Sequence, residues 1–413
     1  MFVWFRGTVA TPVLLAAIAI FGTAPVSAAP ALPPLFQLLA TFGTSPSDGL
    51  GPTGIVMSGN QVWGMTIGGG LYGEGIVFRI GSNGVRQTIY NFPATFGGVF
   101  GPPVIGPDGN VWATTETGLF SIDVNTGRYK SVPFAEPPFP IAAGSGLASD
   151  GVQTLFGTAQ AANLTTPDCG AVYGYNVSTG AVRTLATFPW GNAGSCPDGQ
   201  LSLGTLVYSG GTLYGTSVSP MYDNRVGSVF SVNADGSNFR IVRAFNGYGG
   251  TSIPGALVVS GNRIYGTMDG LPIPFPMSPT AIRPLLFSMN TDGSNFVVLY
   301  RFPLKPYAPP SALVLTEDGR LCGNAGNELY GPRGYVFCFT PSSGLTVLHS
   351  FLGSPDGSGP VNLVESSPGV LIGSTFEGGG GPCSFDGNPQ GCGTVFLTTV
   401  QNSPPRAGSI RRR

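Results

Sequence analysis

Leu213-Tyr214-Gly215-Thr216-Ser217, followed by Gly227-Ser228-Val229-Phe230 and then Phe245, is one turn of a pattern that organises almost the whole chain. The first segment is an apolar–aromatic–Gly–small-polar strand, the second is a strand centred on an aromatic residue, and the third ends on phenylalanine. The first motif recurs as Val62-Trp63-Gly64-Met65-Thr66, Val111-Trp112-Ala113-Thr114-Thr115 and Leu155-Phe156-Gly157-Thr158-Ala159. After Tyr214 it returns as Ile264-Tyr265-Gly266-Thr267-Met268, Leu321-Cys322-Gly323-Asn324-Ala325 and Leu371-Ile372-Gly373-Ser374-Thr375. The third positions (64, 113, 157, 215, 266, 323 and 373) are separated by 49, 44, 58, 51, 57 and 50 residues.

Each copy is preceded by an apolar strand and a turn, as in Ala256-Leu257-Val258-Val259 before Ser260-Gly261-Asn262. Each is followed by an aromatic-centred strand: Ile76-Val77-Phe78, Leu119-Phe120, Val172-Tyr173, Val229-Phe230, Leu286-Phe287, Val336-Phe337 and Val395-Phe396. A fourth strand ends on Phe92, Phe134, Phe188, Phe245, Phe302 or Phe351. Four short strands (a, b, c and d) per unit of about 50 residues is the spacing of propeller blades. The seventh unit stops after its third strand, near Val400. The unmatched Leu35-Phe36-Gln37-Leu38-Leu39-Ala40-Thr41-Phe42 has the form of a fourth strand. The expected fold is therefore all-β, a seven-bladed β-propeller of four-stranded blades closed by the N-terminal strand, which covers otherwise exposed sheet edges.

Composition agrees. Glycine (65) and proline (38) make up about a quarter of the 413 residues, yet 42% are hydrophobic. That much apolar surface excludes disorder, and breakers at this density exclude long helices and a doubly wound α/β fold. Charged residues are 9%, against roughly 25% in an ordinary domain. Net charge is −1, and without Arg6 and the tail arginines Arg406 and Arg411–Arg413 the body holds 14 basic against 20 acidic residues. Nucleic-acid binding through a basic field is not expected.

Arg6, the apolar run from Val9 to Phe21 and Val26-Ser27-Ala28 have the three parts of a secretory signal. The reading is a signal peptide over 1–28, one propeller domain over 29–400, and a basic tail over 401–413. The apolar run is shorter than the ~20 residues of a membrane span and contains Pro12, and no later stretch could span. A secreted, periplasmic or envelope location is expected, as a monomer. Six cysteines in an exported chain suggest disulfides. Cys383 and Cys392 lie nine apart in one loop, Cys322 and Cys338 on neighbouring strands, and Cys169 and Cys196 in two long loops. A single histidine and no CxxC pair leave no ligand set for zinc, and no metal or cofactor is expected.

The recurring apolar-Tyr-Gly-Thr, Gly-x-Val-Phe and strand-final Phe pattern resembles the Gloeo/Verruco (GloVer) tandem-repeat proteins of bacteria, over roughly residues 35–400. The resemblance implies secretion and implies no known reaction. Members often end in a cell-surface sorting segment, whereas Gln401-Asn402-Ser403-Pro404-Pro405 onward is polar, short and basic.

In such a meander the a–b and c–d turns share one face of the ring and the b–c and d–a loops the other. The long insertions are b–c (160–169, 218–226, 269–284, 377–391) or d–a (43–51, 135–144, 189–199). Function on a rigid scaffold concentrates in such loops. Trp190, Tyr222, Tyr248 and Phe275 are the candidate ligand-binding residues there, for a glycan, a surface polymer or an envelope protein. Catalysis has little to work with. His349 falls on a fourth strand, at the outer edge of blade six, which leaves no Ser-His-Asp triad on the loop face. The alternative is an extracellular lyase or hydrolase using the carboxylates Asp168, Asp198, Asp223, Asp269, Glu377 and Asp386. Ten of the twenty acids, Asp198, Asp269 and Asp386 among them, are the Asp of an Asp-Gly step, which suits tight turns. Asn233–Phe239 and Asn290–Phe296 have the start of a calcium loop without its remaining ligands, and read as plain turns.

Overall fold

The computed structural model describes residues 36–45, 47–94, 98–115, 118–134, 146–159, 168–189, 200–201, 206–218, 227–245, 252–270, 284–302, 311–325, 333–385, 388–389 and 391–400. Over these residues it is all-β, with no helix, in seven antiparallel blades arranged in a ring. Blade 1 consists of Gly49–Ser58, Gln61–Gly69, Ile76–Ile80 and Arg86–Asn91, as strands a to d. Blade 2 runs from Val99–Ile105 through Val111–Thr115 and Gly118–Ile122 to Tyr129–Pro133. Blade 3 comprises Ala148–Ser149, Thr154–Ala159, Asp168–Asn176 and Val182–Pro189. In blade 4, Gln200–Leu201 and Val207–Ser209 both pair with strand b, Thr212–Val218, ahead of Ser228–Asn233 and Arg240–Ala244.

Blades 5 and 6 repeat the meander. Blade 5 is Ser252–Ser260, Arg263–Gly270, Leu285–Asn290 and Val297–Arg301, and blade 6 is Ala312–Leu315, Leu321–Ala325, Tyr335–Thr340 and Gly344–Ser350. Blade 7 takes Ser358–Ser367, Val370–Glu377 and Thr394–Thr399 from the C-terminal part of the chain and Phe36–Thr41 as its strand d. The strands a touch in a closed cycle from blade 1 to blade 7 and back to blade 1. The N-terminal strand thus closes the ring, as the repeat arithmetic requires.

The repeat motif has a packing reason. The strand b glycine lies directly across from the strand c aromatic: Gly64 from Phe78, Gly157 from Tyr173, Gly215 from Phe230, Gly266 from Phe287, Gly323 from Phe337 and Gly373 from Phe396. A Cβ at Gly215 or Gly266 would sit 2.4 Å from the tip of the facing ring. The glycine is therefore a seat for the ring.

Strand d carries a second device. In six blades its pairing with strand c slips by one residue beside that aromatic. The extra residue is always aliphatic: Ile89, Leu185, Val242, Leu299, Leu348 and Leu39. A bulge re-aims the strand, and three residues later the strand-final Phe is buried in each case: Phe92, Phe188, Phe245, Phe302, Phe351 and Phe42. Blade 2 lacks the slip. It has Ser131 at the bulge position and Ala113 at the glycine position, and its Phe134 is only half-buried.

Two of the three expected disulfides are formed, Cys322–Cys338 and Cys383–Cys392. Cys322 and Cys338 face each other across strands b and c, where blades 4 and 5 place Tyr214 opposite Ser231 and Tyr265 opposite Ser288. The suggested Cys169–Cys196 pairing lies outside the described side chains.

Candidate functional site

In six of the seven seams a residue at or beside the start of strand d packs against strand d of the preceding blade. Phe239 packs edge-on against Phe188 at 5.2 Å between centroids, and Phe296 lies tilted against Phe245 at 5.7 Å. Tyr129 stacks on Tyr90 at 4.5 Å, and Leu345 joins the core that holds Phe302. In the two seams that flank the closing blade this contact becomes polar and reaches the b–c/d–a face.

At the seam between blades 7 and 1 the covering residue is Arg86. Its guanidinium lies 4.5 Å from the centre of the Phe42 ring and donates two bonds to Asp48, at 2.6 and 2.9 Å. Asp48 is 5% exposed and also accepts from Thr44 N, Thr44 Oγ1 and Gly49 N. Burial alone would raise this carboxyl's pKa. The bonds from Arg86 and Thr44 outweigh it and hold the group below 3.8.

At the seam between blades 6 and 7 the covering residue is Phe36. It stacks face to face on His349 at 3.5 Å and meets Phe351 edge-on at 6.0 Å. His349 Nε2 lies 2.9 Å from Asp356 Oδ2, and Asp356 Oδ1 accepts from Leu352 N. His349 is on strand d as expected. Its imidazole is half-buried between two blades rather than free on an outer edge.

Asp48 and Asp356 open the same five-residue motif, Asp48-Gly49-Leu50-Gly51-Pro52 and Asp356-Gly357-Ser358-Gly359-Pro360. Neither is a hairpin turn. Both lead from strand d into strand a of the next blade. Hairpin roles do hold for Asp108, Asp150, Asp235, Asp292 and Asp318. In the two calcium-like stretches, Asp235 accepts from Ser237 N and Oγ, and Asp292 from Ser294 N and Oγ, so both are self-contained turns.

The b–c loops of blades 1 and 7 have a common build. Thr66 Oγ1 donates to Gly68 O and accepts from Ile76 N, and Thr375 Oγ1 donates to Glu377 O and accepts from Thr394 N. In blade 1 the loop is fixed further by Gly70 N to Asp48 O, Leu71 N to Asn91 Oδ1 and Gly75 N to Gly69 O. On this bonded frame Leu71 is 66% and Tyr72 59% exposed, with Ile67 at 40%. A Cβ at Gly51 would lie 2.9 Å from the Phe376 ring and 3.1 Å from Ile67, so blade 7's strand b meets this apolar surface across the seam. Sequence reasoning passed over Tyr72 because it weighed loops by length, and 66–75 is short.

Trp190, Tyr222, Tyr248 and Phe275 lie outside the described residues, as do Asp198, Asp223 and Asp386. Asp168 and Asp269 fall on strands, with side chains outside the description. Glu377 is buried at 8% exposure. Among the described residues no group of three or more His, Cys, Asp and Glu could hold a metal ion, and no helix is long and apolar enough to cross a membrane.

No protein-family model matches the chain, and no curated protein does. Solved structures share the fold. An oligogalacturonate lyase in complex with manganese is 12% identical, with a TM-score of 0.57 over 89% of this chain and 96% of that one. Virginiamycin B lyase from Staphylococcus aureus is 13% identical, with a TM-score of 0.57 over 88% of this chain and 100% of that one. The WD40 domain of Neurospora crassa Pan2 is 13% identical, with a TM-score of 0.53 over 89% and 96%. At these identities the likeness concerns the propeller alone.

Proposed function

We propose that this chain is an exported, non-catalytic propeller of the Gloeo/Verruco tandem-repeat kind. In this reading it binds a glycan, a surface polymer or an envelope protein through its b–c/d–a face. The observation that carries the reading is the blade 1 loop, where Leu71 and Tyr72 stand exposed on a loop held by the bonded amides of Gly70, Leu71 and Gly75. An apolar–aromatic tip on a fixed backbone binds at small entropic cost. Two disulfides support an oxidising compartment. Against catalysis by the loop-face carboxylates stands the burial of one of them, Glu377, at 8% exposure.

A glycan and surface-polymer binding screen on the mature protein, read for both binding and turnover, tests this. A ligand bound by the wild type and released unchanged is expected. Tyr72→Ala should weaken it about tenfold, the effect of losing a modest aromatic anchor. Product formation from any polymer, or a Tyr72→Ala protein that binds as well as the wild type, would overturn the reading.

A further inference from the structure

We infer that the closing strand and the blade 7 loops form one conformational unit, joined at the strand's N-terminal end through the chain's single histidine. The N-terminal strand then acts as a strap whose docking sets the loop face. This inference stands apart from the choice of ligand.

The path is continuous. Phe36, the first residue of the strap, stacks on His349 at 3.5 Å with the rings 9° from parallel. The other side of the imidazole's chemistry goes to Asp356, at 2.9 Å. Asp356 closes its own loop through Leu352 N at 3.0 Å, and Gly353 and Gly357 exchange both backbone bonds within that loop. The loop then holds the b–c loop of blade 7: Gly379 N donates to Gly353 O at 3.0 Å, and Ser354 Oγ donates to Gly379 O at 2.8 Å.

From there the path returns to the strap. Gly393 N donates to Gly378 O, and Gly393 O accepts from Phe42 N at the strap's far end. Thr394 Oγ1 donates to Asp356 O, and Thr394 pairs with Thr41. The strap is thus held at its far end by these loops, and at its near end His349 touches both the strap, through Phe36, and the loop, through Asp356.

The geometry also explains why a histidine stands there. At the other seam an arginine at the strap-equivalent position covers Phe42 and neutralises Asp48 by itself. Phe36 can cover Phe351 but offers nothing to a carboxylate. His349 supplies the missing donor, and its flat ring gives Phe36 a face to stack on. His349 is a positioning residue for the loop, acting through Asp356.

Hydrogen exchange on the full mature chain tests the coupling, with Phe36→Leu to loosen the strap while keeping it apolar. In the wild-type background this change should speed exchange at the Gly357 and Gly379 amides about threefold to tenfold, the range an aromatic contact of this kind is worth. Amides of blades 3 to 5 serve as the internal reference and should not move. In a His349→Phe background, which keeps a ring beneath Phe36 but cuts the bond to Asp356, the same change should leave Gly357 and Gly379 unaffected. Wild-type exchange at both glycines in Phe36→Leu would overturn the inference. An equal acceleration in both backgrounds would overturn it too, because the signal would then bypass His349.

Discussion

The two seams beside the closing blade solve one problem with different residues. Each must bury a strand-final phenylalanine and hold beside it an aspartate from an Asp-Gly-x-Gly-Pro motif, Asp48 buried and Asp356 half-buried. At the seam between blades 7 and 1, Arg86 does both, because a guanidinium can lie over a ring and still present two donors in one plane. At the seam between blades 6 and 7 the tasks are divided between Phe36 and His349. The difference teaches that the repeat conserves a requirement rather than a residue. It also predicts unequal strength. A buried charge pair is severe to break from one side, whereas a stacked imidazole with one hydrogen bond is not.

The larger effect of the two is therefore expected from Arg86→Ala. It takes the counter-charge from Asp48, whose side chain is 4% exposed and keeps only its bonds from Thr44 and Gly49. With Arg86 itself 21% exposed, the loss should reach the lower end of the about 3–5 kcal/mol that breaking a buried pair costs. His349→Ala removes two ring contacts, to Phe36 and Phe351, and one hydrogen bond, and should cost about 1–3 kcal/mol. Denaturant unfolding of the two variants orders the seams, and equal losses would break the comparison.

The apolar seams supply the next contrast. Phe245 is fully buried behind its bulge, whereas Phe134, in the one blade whose strand d does not slip, is half-buried. Phe245→Ala should cost about 3–5 kcal/mol, and Phe134→Ala about half of that, in proportion to the area it hides. If both cost the same, the bulge is not what drives the ring into the seam.

An exchange of solutions is a finer test. By position relative to the strand-final Phe, Arg86 corresponds to Phe36 and Ala40 to His349. Arg86→Phe restores the ring cover but leaves Asp48 without a counter-charge. Adding Ala40→His should return about 1–2 kcal/mol of the loss, as a coupling energy in a double-mutant cycle. Additive losses would show that the two seams are not interchangeable.

The blades, their number, the closing strand and two disulfides were legible because they rest on spacing along the chain and on strand neighbours. The seams were not. Asp48-Gly49 and Asp356-Gly357 read as turn dipeptides, since local chemistry alone gives Asp-Gly that meaning. Their partners, Arg86 and His349, become visible only once the pairing register sets which residue of strand d faces the preceding blade. The bulge was partly written in the sequence, as an aliphatic residue three places before six of the seven strand-final Phe residues. Without the strand c register that spacing has no structural reading. Tyr72 was missed for a different reason. Its loop is short, and its exposure follows from hydrogen bonds to Asp48 and Asn91 that lie far from it in sequence.

The smallest effect follows from protons. Asp48 has a folded pKa held below its unfolded value of 3.8, so the unfolded chain binds a proton more readily than the folded one. The stability this group contributes is present in full above about pH 5 and is lost as the pH falls through 3.8 toward the folded value. Its share of the slope cannot exceed about 1.4 kcal/mol per pH unit, the limit for one proton. Asp48→Asn removes that share, so its stability should fall less steeply than the wild type's between pH 5 and 3. Urea midpoints across that range measure the difference. Parallel curves would mean that Arg86 covers Phe42 without neutralising Asp48, and the two seams would then differ in shape but not in charge.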